Sequence, residues 1–322
     1  MDFVPSADGL AAIREGAAFV QARASVFHVE GPAAVDCLQG ILTNDVVGPG
    51  EHSLVYGAVL TPKGMIVTDL WSARLGADFM LVAEAAAREP ATAVFTRSLP
   101  PRLARVRDRS ESARALWLLG PAAGEALVRA GLGTLPEAGR VTAMDDGTVV
   151  AAGGPTAPFS GLIVAGEHTA RAWGEKLESA GALNGDDALL ASARVLAGWP
   201  TLGREIDERT LPQEVRFDEL GGVSYSKGCY TGQETVARVH FRGHVNRMLR
   251  GVVFEGALPL AERSVRAGER EVGSVRSTVA AGDRLLALAM LRREVAEGDP
   301  VQIGERTGRV AALPFAETPA RR

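Results

Sequence analysis

The sequence is poor in cysteine and has no long apolar segment. Its two cysteines, Cys37 and Cys229, lie far apart, so the chain offers neither a disulfide framework nor a C-x-x-C redox pair. The longest near-apolar run, residues 285–291, has seven residues, whereas a membrane-spanning helix needs about 20. The first ten residues carry acids where a secretory signal carries bases. These absences predict a cytoplasmic protein without membrane contact.

Common catalytic motifs are absent as well. There is no G-x-G-x-x-G, no Walker A loop and no H-E-x-x-H, so nicotinamide, nucleoside-triphosphate and zincin chemistry lack support. Residues 224–227 match S-x-x-K, but the other motifs of that hydrolase class are missing. His240 and His244 have the spacing of a helical metal pair. Because Gly243 should end the helix between them, we favour a solvated or nucleic-acid-facing pair and expect no intrinsic metal.

The composition is that of an ordinary globular protein, with 46% hydrophobic and 23% charged residues over a length that allows two or three domains. A net charge of −4 excludes nucleic-acid binding through overall charge. Two basic stretches remain: residues 97–109 have five arginines and one acid, and residues 227–250 have five bases and one acid. Solvated faces are the common explanation of such stretches, and an RNA or other anionic surface is the second.

Repeated patterns indicate the fold. Residues 24–30 alternate as a half-buried strand does, and Gly-Pro-Ala-Ala follows at 31–34; a strand-like run at 115–119 is followed by the same four residues at 120–123. Short strand patterns separated by turn residues continue beyond residue 246. We predict an α+β protein with two related sheet-plus-helix halves, 1–110 and 111–245, followed by a small antiparallel β-barrel, 246–322.

Residues 221–250 hold the most informative segment. Thr231 to Glu234 has the form of a capping box, which predicts a helix from Gly232 to about Phe241, with Gly243 as its stop.

Cys229 precedes this helix start and lies two residues from Lys227, one of only three lysines in the chain. The positive end of a helix dipole and a neighbouring ammonium both lower a thiol pKa, and the thiolate is the nucleophile and the metal ligand. The alternative is that Cys229 is a small buried hydrophobic residue beside a capped helix.

Residues 227–234, Lys-Gly-Cys-Tyr-Thr-Gly-Gln-Glu, resemble the signature of the YgfZ family. That family is similar to the T-protein (aminomethyltransferase) of the glycine cleavage system, and its members bind folate and support iron–sulfur enzymes and tRNA thiolation. The resemblance implies that Cys229 is the reactive thiol, with Lys227 lowering its pKa. It also places Tyr230, Gln233 and Glu234 at the binding loop.

The resemblance extends to the first half of the chain. Residues 42–45, which include Asn44 and Asp45, resemble the corresponding stretch of YgfZ and T-protein relatives. In T-proteins two adjacent acids follow, and one supports attack by the folate nitrogen on the aminomethyl carbon. Here those positions read Thr68 and Asp69. Asp69 is therefore the expected catalytic residue.

Tetrahydrofolate or a derivative is the cofactor that the resemblance implies. Arg242 and Arg247 would pair with its glutamate tail. In folate-binding relatives a glutamate at the end of a later helix grips the pterin, whose paired donors match a carboxylate. This chain has Leu196 at that position. A substitute acid is then needed, and the candidates are Glu205, Asp207 and Glu214.

Three functions follow from these residues. The first is a YgfZ-like accessory factor for iron–sulfur cluster assembly or repair and for tRNA modification, whose partners are iron–sulfur proteins or radical tRNA-modifying enzymes. The second is a tetrahydrofolate-dependent aminomethyltransferase. The third is a non-catalytic folate- or RNA-binding module, with a weak RNA contact through the basic stretches.

Overall fold

The computed structural model describes residues 1–256, 260 and 262–315. Within these residues the strands are β1 (Asp2–Phe3), β2 (Ala18–Ala22), β3 (Ala24–Glu30), β4 (Leu54–Leu60), β5 (Ile66–Leu75), β6 (Asp78–Glu84), β7 (Arg105–Asp108), β8 (Ala113–Leu119), β9 (Val141–Ala143), β10 (Val149–Ala152), β11 (Gly161–Gly166), β12 (Leu183–Gly185), β13 (Arg247–Glu255), β14 (Ser264–Ala267), β15 (Arg270–Ala281), β16 (Arg284–Arg292), β17 (Pro300–Ile303) and β18 (Arg306–Ala311).

The α-helices of the same part of the chain are α1 (Ala7–Arg14), α2 (Ala34–Gln39), α3 (Arg88–Ser98), α4 (Ala123–Arg129), α5 (Glu167–Ser179), α6 (Asp187–Leu196) and α7 (Gln233–Arg242). Two short 3-10 helices, Ala85–Ala87 and Pro212–Val215, complete the set for the described residues. None of the described helices has the length and apolar character that crossing a bilayer requires.

The first half forms an antiparallel five-stranded sheet in the order β4-β5-β6-β3-β7. Its core buries Leu38 of α2 and Phe95 of α3 against Phe79 of β6. The strand predicted at 24–30 is β3, so this prediction is confirmed, and residues 62–64 form the turn between β4 and β5.

The second half forms a six-stranded sheet in the order β12-β2-β8-β11-β10-β9. The repeated Gly-Pro-Ala-Ala follows β3 in one half and β8 in the other. Gly31 and Gly120 both have positive φ, and a side chain at either would collide with a neighbouring carbonyl, that of Leu103 or of Ala12. In each half this glycine therefore allows two chain segments to approach each other closely.

The six strands β13 to β18 form a closed antiparallel barrel, because β15 pairs with β16 as well as with β14. β14 was not expected from the sequence. The predicted third domain includes residues 257–259, 261 and 316–322, which lie outside the described residues. The first two strands pair outside the predicted first half: β1 pairs with β15 of the barrel, and β2 pairs with β8 of the second half.

A further core joins the two halves to the barrel. Tyr56 of β4 packs against Trp199 and Phe217, with ring centroids 4.6 and 5.1 Å away. Tyr230 and the barrel residue Leu288 belong to the same buried cluster. Aromatic side chains supply the largest apolar areas in a core. The segment around Tyr230 is therefore fixed where the three parts of the chain meet.

Candidate functional site

The helix after the signature begins one residue later than predicted and without a capping box. The N-cap of α7 is Gly232, and no side chain caps the helix. Gly232 has φ +83°, and a Cβ there would lie 2.6 Å from the carbonyl oxygen of Thr61. The contact with the β4–β5 turn thus determines the helix start in place of Thr231. The predicted end is confirmed, since α7 stops at Arg242 with Gly243 as C-cap.

Lys227 is a buried anchor between the signature and the first half. Its Nζ donates to the carbonyl oxygens of Gln39 at 2.6 Å, Leu42 at 2.6 Å and Asn44 at 2.9 Å. An ammonium has three N–H donors, and all three are used. Burial lowers the pKa of Lys227 to about 8, opposed by the negative charge of Asp45. The side chain therefore remains charged at neutral pH.

Further hydrogen bonds tie the same loop down on both sides of Cys229. The Oγ1 of Thr43 donates to the Gly222 carbonyl at 2.6 Å, and the Ser224 amide donates to the Thr43 carbonyl at 3.0 Å. After the cysteine, the Thr231 amide donates to the Gly40 carbonyl at 3.2 Å. We call residues 221–232 the anchored loop.

Cys229 is exposed on this anchored loop, which contradicts the alternative of a buried hydrophobic residue. The neighbouring Gly228 has open space around it. All three donors of Lys227 point to carbonyls, so its ammonium makes no hydrogen bond to the thiol. Cys37 is half-buried, and burial followed by the charge of Asp36 raises the pKa of its thiol. The two cysteines thus differ in accessibility.

Tyr230 lies on the inner side of the anchored loop. It is buried, its ring centre lies 5.0 Å from the Lys227 Nζ, and burial raises its pKa to about 12. A neutral aromatic face near an ammonium stabilises the charge. Gln233 is half-buried and Glu234 is exposed in the first turn of α7. Of these predicted site residues, Tyr230 contacts Lys227, whereas the roles of Gln233 and Glu234 stay predictions.

The two arginines expected to meet a folate tail differ in their surroundings. Arg242 is exposed at the end of α7. Arg247 is already paired: its Nε donates to Glu214 Oε1 at 2.9 Å and its Nη2 to Oε2 at 3.2 Å. A bidentate pair of this kind uses the donors that a carboxylate ligand would need. Binding an anion through Arg247 would first require separation from Glu214.

Asn44 and Asp45 border a cleft of about 360 Å³ together with Tyr56 and Trp71. The Asn44 amide bridges the carbonyl oxygens of Tyr56 at 2.8 Å and Gly221 at 2.6 Å. Burial alone would raise the pKa of Asp45, but hydrogen bonds from the Gly48 and Val47 amides and the Gln39 side chain, together with the charge of Lys227, lower it overall. Asp45 is therefore an ionised residue in the wall of this cleft. Asn44 helps to hold the anchored loop through its bond to Gly221.

Asp69 is a buried carboxyl with one unused oxygen. Tyr56 donates from its Oη to Asp69 Oδ2 at 3.0 Å, while Oδ1 has no partner among the described residues. Burial, and then the charge of Glu84, raise the pKa of Asp69 to about 6. Perturbed carboxyls of this kind are typical of functional sites.

A cavity of about 20 Å³ lies beside Asp69 and is also lined by Glu84 and Arg194, which form an ion pair with each other. That volume suits a water molecule and not a ring system. Sequence reasoning missed Tyr56, Glu84 and Arg194. Tyr56 could have been found from the pairing of β4 with β5. Ala58 pairs with Asp69, and Tyr56 lies two residues from Ala58 on the same face of the strand. Glu84 and Arg194 meet only through the fold.

The cleft that contains Leu196 does not fit a pterin through the expected carboxylate. Its volume is about 570 Å³, but none of its described lining residues is charged. Of the candidate substitutes, Glu205 is buried and accepts from the Ser277 hydroxyl at 2.6 Å and the Thr201 amide at 3.0 Å.

The other two candidate acids are also occupied. Asp207 accepts from the Arg209 amide at 2.9 Å and lies 3.8 Å from Arg247, and Glu214 holds the same arginine. All three acids are thus engaged within the protein, and none of them lines the Leu196 cleft.

One group of side chains could in principle hold a metal. Ligand atoms of His28, Glu30 and Asp78 lie within 4.8 Å of one another. Arg107 donates to Glu30 Oε1 at 2.6 Å and neutralises that carboxylate. His240, of the pair noted in the sequence, has its Nδ1 3.2 Å from Asp218 and lies on α7, whereas His244 lies beyond the helix end.

Comparisons with known proteins place this geometry in a family. The model of the GCVT N-terminal domain matches residues 5–135, and the model of the CAF17 C-terminal beta-barrel domain matches residues 246–316. The crystal structure of the glycine cleavage system aminomethyltransferase T from Bartonella henselae superimposes with a TM-score of 0.80 at 24% identity, covering 96% of this chain and 89% of that one.

Two curated relatives are similar over most of their length. The tRNA-modifying protein YgfZ of Cronobacter sakazakii is 28% identical over 303 residues, covering 89% of both chains. The aminomethyltransferase of Rubrobacter xylanophilus is 30% identical over 322 residues, covering 92% of this chain and 84% of that protein.

The fold, with two sheet-and-helix halves and a closed barrel, is therefore that of the T-protein class of aminomethyltransferases. The chain belongs to the aminomethyltransferase (T-protein) family, and it is also similar to YgfZ along its length and to CAF17 in its barrel.

Proposed function

We propose that this protein is a YgfZ-like accessory factor in tRNA modification that acts on iron–sulfur proteins through the Cys229 thiol. One observation carries the proposal: the cysteine is exposed on a loop that buried Lys227 and backbone hydrogen bonds fix to the first half of the chain. A similar protein, the YgfZ of Cronobacter sakazakii, is named as tRNA-modifying. The cytoplasm is the proposed location.

A single thiolate sets the chemistry that this site can perform. Iron–sulfur clusters are normally held by four cysteine ligands, and Cys229 is the one exposed cysteine of the chain. It can act as one shared ligand to a cluster whose other ligands come from a client protein. Alternatively, its thiolate can attack a client disulfide, forming a mixed disulfide and releasing the other client sulfur as a thiolate. A pre-fixed loop lowers the entropy lost when either complex forms. Lys227 acts as a positioning residue for that loop.

Complementation of a deletion strain tests the proposal. We expect Cys229→Ala to fail to restore growth under conditions that demand iron–sulfur enzymes, since it removes the sulfur and leaves the anchors intact. Cys37→Ala, which changes the half-buried cysteine, is the matched control and should restore growth. Full rescue by Cys229→Ala would remove the thiol from the mechanism.

A second candidate is a tetrahydrofolate-dependent aminomethyltransferase. Asp69 favours it, because a buried carboxyl with a pKa raised to about 6 and an unused oxygen has properties that catalytic carboxyls share. Leu196 and Thr68 count against it, since each stands where these enzymes use an acid. Formation of methylene-tetrahydrofolate from an aminomethyl-loaded carrier protein is the direct assay, and we expect no turnover.

Calorimetric titration with tetrahydrofolate tests the non-catalytic folate-binding alternative. We expect weak binding by the wild type and tighter binding by Leu196→Glu, because the new carboxylate supplies the acceptor that the uncharged cleft lacks. Leu103→Glu introduces the same charge at an exposed leucine and serves as control. Equal affinities of all three proteins would show that the Leu196 cleft is not the folate site.

A further inference from the structure

A group of aromatic rings lies at the C-terminal end of α7, where Tyr225 of the anchored loop packs against two exposed rings of the helix. The Tyr225 and His240 rings are stacked, with centroids 3.7 Å apart and planes at 20°. Phe241 stands edge-on to both, with centroids 5.8 and 4.8 Å away. Phe241 is 66% exposed, which is unusual for a phenylalanine. We call these three residues the aromatic ledge.

Polar contacts hold the aromatic ledge in place. The carboxylate of Asp218 accepts from the Tyr225 hydroxyl and lies 3.2 Å from His240 Nδ1. Gln213 donates from its Nε2 to the Tyr225 hydroxyl at 3.1 Å and to the Val236 carbonyl at 3.0 Å. Asp218 is thus occupied by two ring partners, and the rings are pre-oriented. A rigid aromatic surface loses little entropy on binding a flat ligand.

Two exposed cations lie next to the ledge, in addition to the carboxylate of Asp218. Arg238 and Arg242 are both exposed and four residues apart on α7, so their side chains extend from one face of the helix. Phe241 lies between them along the chain, three residues after Arg238. Alternation of cationic and aromatic side chains along one face matches a chain of alternating phosphates and bases. An acidic peptide would satisfy the arginines but would leave the exposed ring face unmatched.

We propose that the aromatic ledge binds an unpaired nucleotide of RNA, with a base stacked on Phe241 and the flanking phosphates held by Arg238 and Arg242. Duplex RNA is excluded from this mode because its bases are stacked on each other and present no free face. The inference rests on the proposed function, because a factor in tRNA modification encounters the exposed loops of tRNA. It assigns RNA to the C-terminal end of α7 and client chemistry to Cys229 on the anchored loop.

Fluorescence anisotropy with a labelled single-stranded RNA oligonucleotide tests the ledge. Removing one stacking side chain costs about 1–3 kcal/mol per base, so Phe241→Ala should weaken binding at least about fivefold. Phe241→Trp should retain binding, since it keeps an aromatic face. Val128→Ala, at an exposed apolar residue elsewhere, and Arg102→Gln, in the other basic stretch, should bind as the wild type does.

Salt dependence tests the phosphate contacts. Two phosphates held on a single strand predict a slope of log K against log salt of about −1.4, and Arg242→Gln should reduce it by about 0.7. Unchanged binding by Phe241→Ala, equal affinity for a duplex of the same sequence, or loss of binding through Arg102→Gln alone would each overturn the proposal. Absence of RNA binding together with failed complementation by Phe241→Ala would also overturn it and would identify the ledge as a protein contact.

The same assay separates this inference from the proposed function. Cys229→Ala should bind the oligonucleotide as the wild type does while failing in the deletion strain. If Cys229→Ala complements but Phe241→Ala still loses RNA, the thiol proposal fails and the ledge stands. If Phe241→Ala binds RNA normally while Cys229→Ala fails to complement, the ledge fails and the thiol proposal stands.

Discussion

Replacing Lys227 by methionine should loosen the anchored loop and destabilise the whole protein. Methionine has nearly the length of the lysine side chain but donates no hydrogen bond. The change leaves the carbonyl oxygens of Gln39, Leu42 and Asn44 without the donor that they share in the wild type. Because these carbonyls belong to the first half and Lys227 belongs to the second, the loss weakens the contact between the two halves.

The size of the effect follows from the burial of those carbonyls. A buried acceptor that loses its partner costs about 1–3 kcal/mol. The bond to Leu42 is buried, whereas the bonds to Gln39 and Asn44 are partly exposed and can be replaced by water. Methionine also avoids the cost of burying a charge. We therefore expect a net loss of about 2–4 kcal/mol in the free energy of unfolding at pH 7.

Urea denaturation measures this loss, with Lys176→Met as the matched control because Lys176 is exposed on α5. The control should change the free energy of unfolding by less than about 0.5 kcal/mol. Burial lowers the pKa of Lys227 to about 8 from the usual 10.5. The folded chain then releases this proton at lower pH than the unfolded chain. The stability of the wild type relative to Lys227→Met should therefore rise between about pH 8 and 10.5 and stay constant below pH 8. Equal urea midpoints for the two methionine variants would refute the anchoring role.

Three further predictions concern the same site. Gly232→Ala should cost about 2–4 kcal/mol of stability, because a Cβ at φ +83° would collide with the Thr61 carbonyl. Gly228→Ala, at a position with open space, should be tolerated in the same urea assay. Equal urea midpoints for the two variants would contradict this account. Iodoacetamide followed by peptide mass spectrometry should label Cys229 before Cys37, and the reverse order would contradict the exposure assigned to the two thiols. Asp69→Asn should stabilise the protein by up to about 3 kcal/mol at pH 7. Burial raises the pKa of Asp69 to about 6, so the wild type loses stability as the pH rises from about 3.8 to 6. The gain in the variant should vanish below pH 3.8, and a gain that persists there would show another cause.

Much of the fold could be predicted from the sequence, because the patterns that define it are local. The alternation at 24–30 and the turn residues at 62–64 correspond to β3 and the β4–β5 turn. Short strand patterns beyond residue 246 correspond to strands of the barrel. Pairings that cross the chain were not predictable in this way: β2 pairs with β8 and β1 with β15, and no nearby residue indicates either partner.

The site shows the same division between local and distant causes. Cys229 could be singled out, because a thiol before a helix start is visible in a few residues. The helix start itself was predicted one residue early, since the contact of Gly232 with Thr61 overrides the local capping pattern. Lys227 was expected to act on the neighbouring sulfur, but its partners are carbonyls of residues 39–44, about 185 positions earlier in the chain.

The most direct test of the central claim is the amount of methylthiolated nucleoside in bulk tRNA, measured by mass spectrometry in a deletion strain that expresses single variants. The anchored thiol predicts near-background levels with Cys229→Ser and wild-type levels with Cys37→Ser. Lys227→Met should give reduced levels, because its thiol is present but less well positioned. Wild-type levels of the modified nucleoside with Cys229→Ser, at equal protein abundance, would contradict the claim.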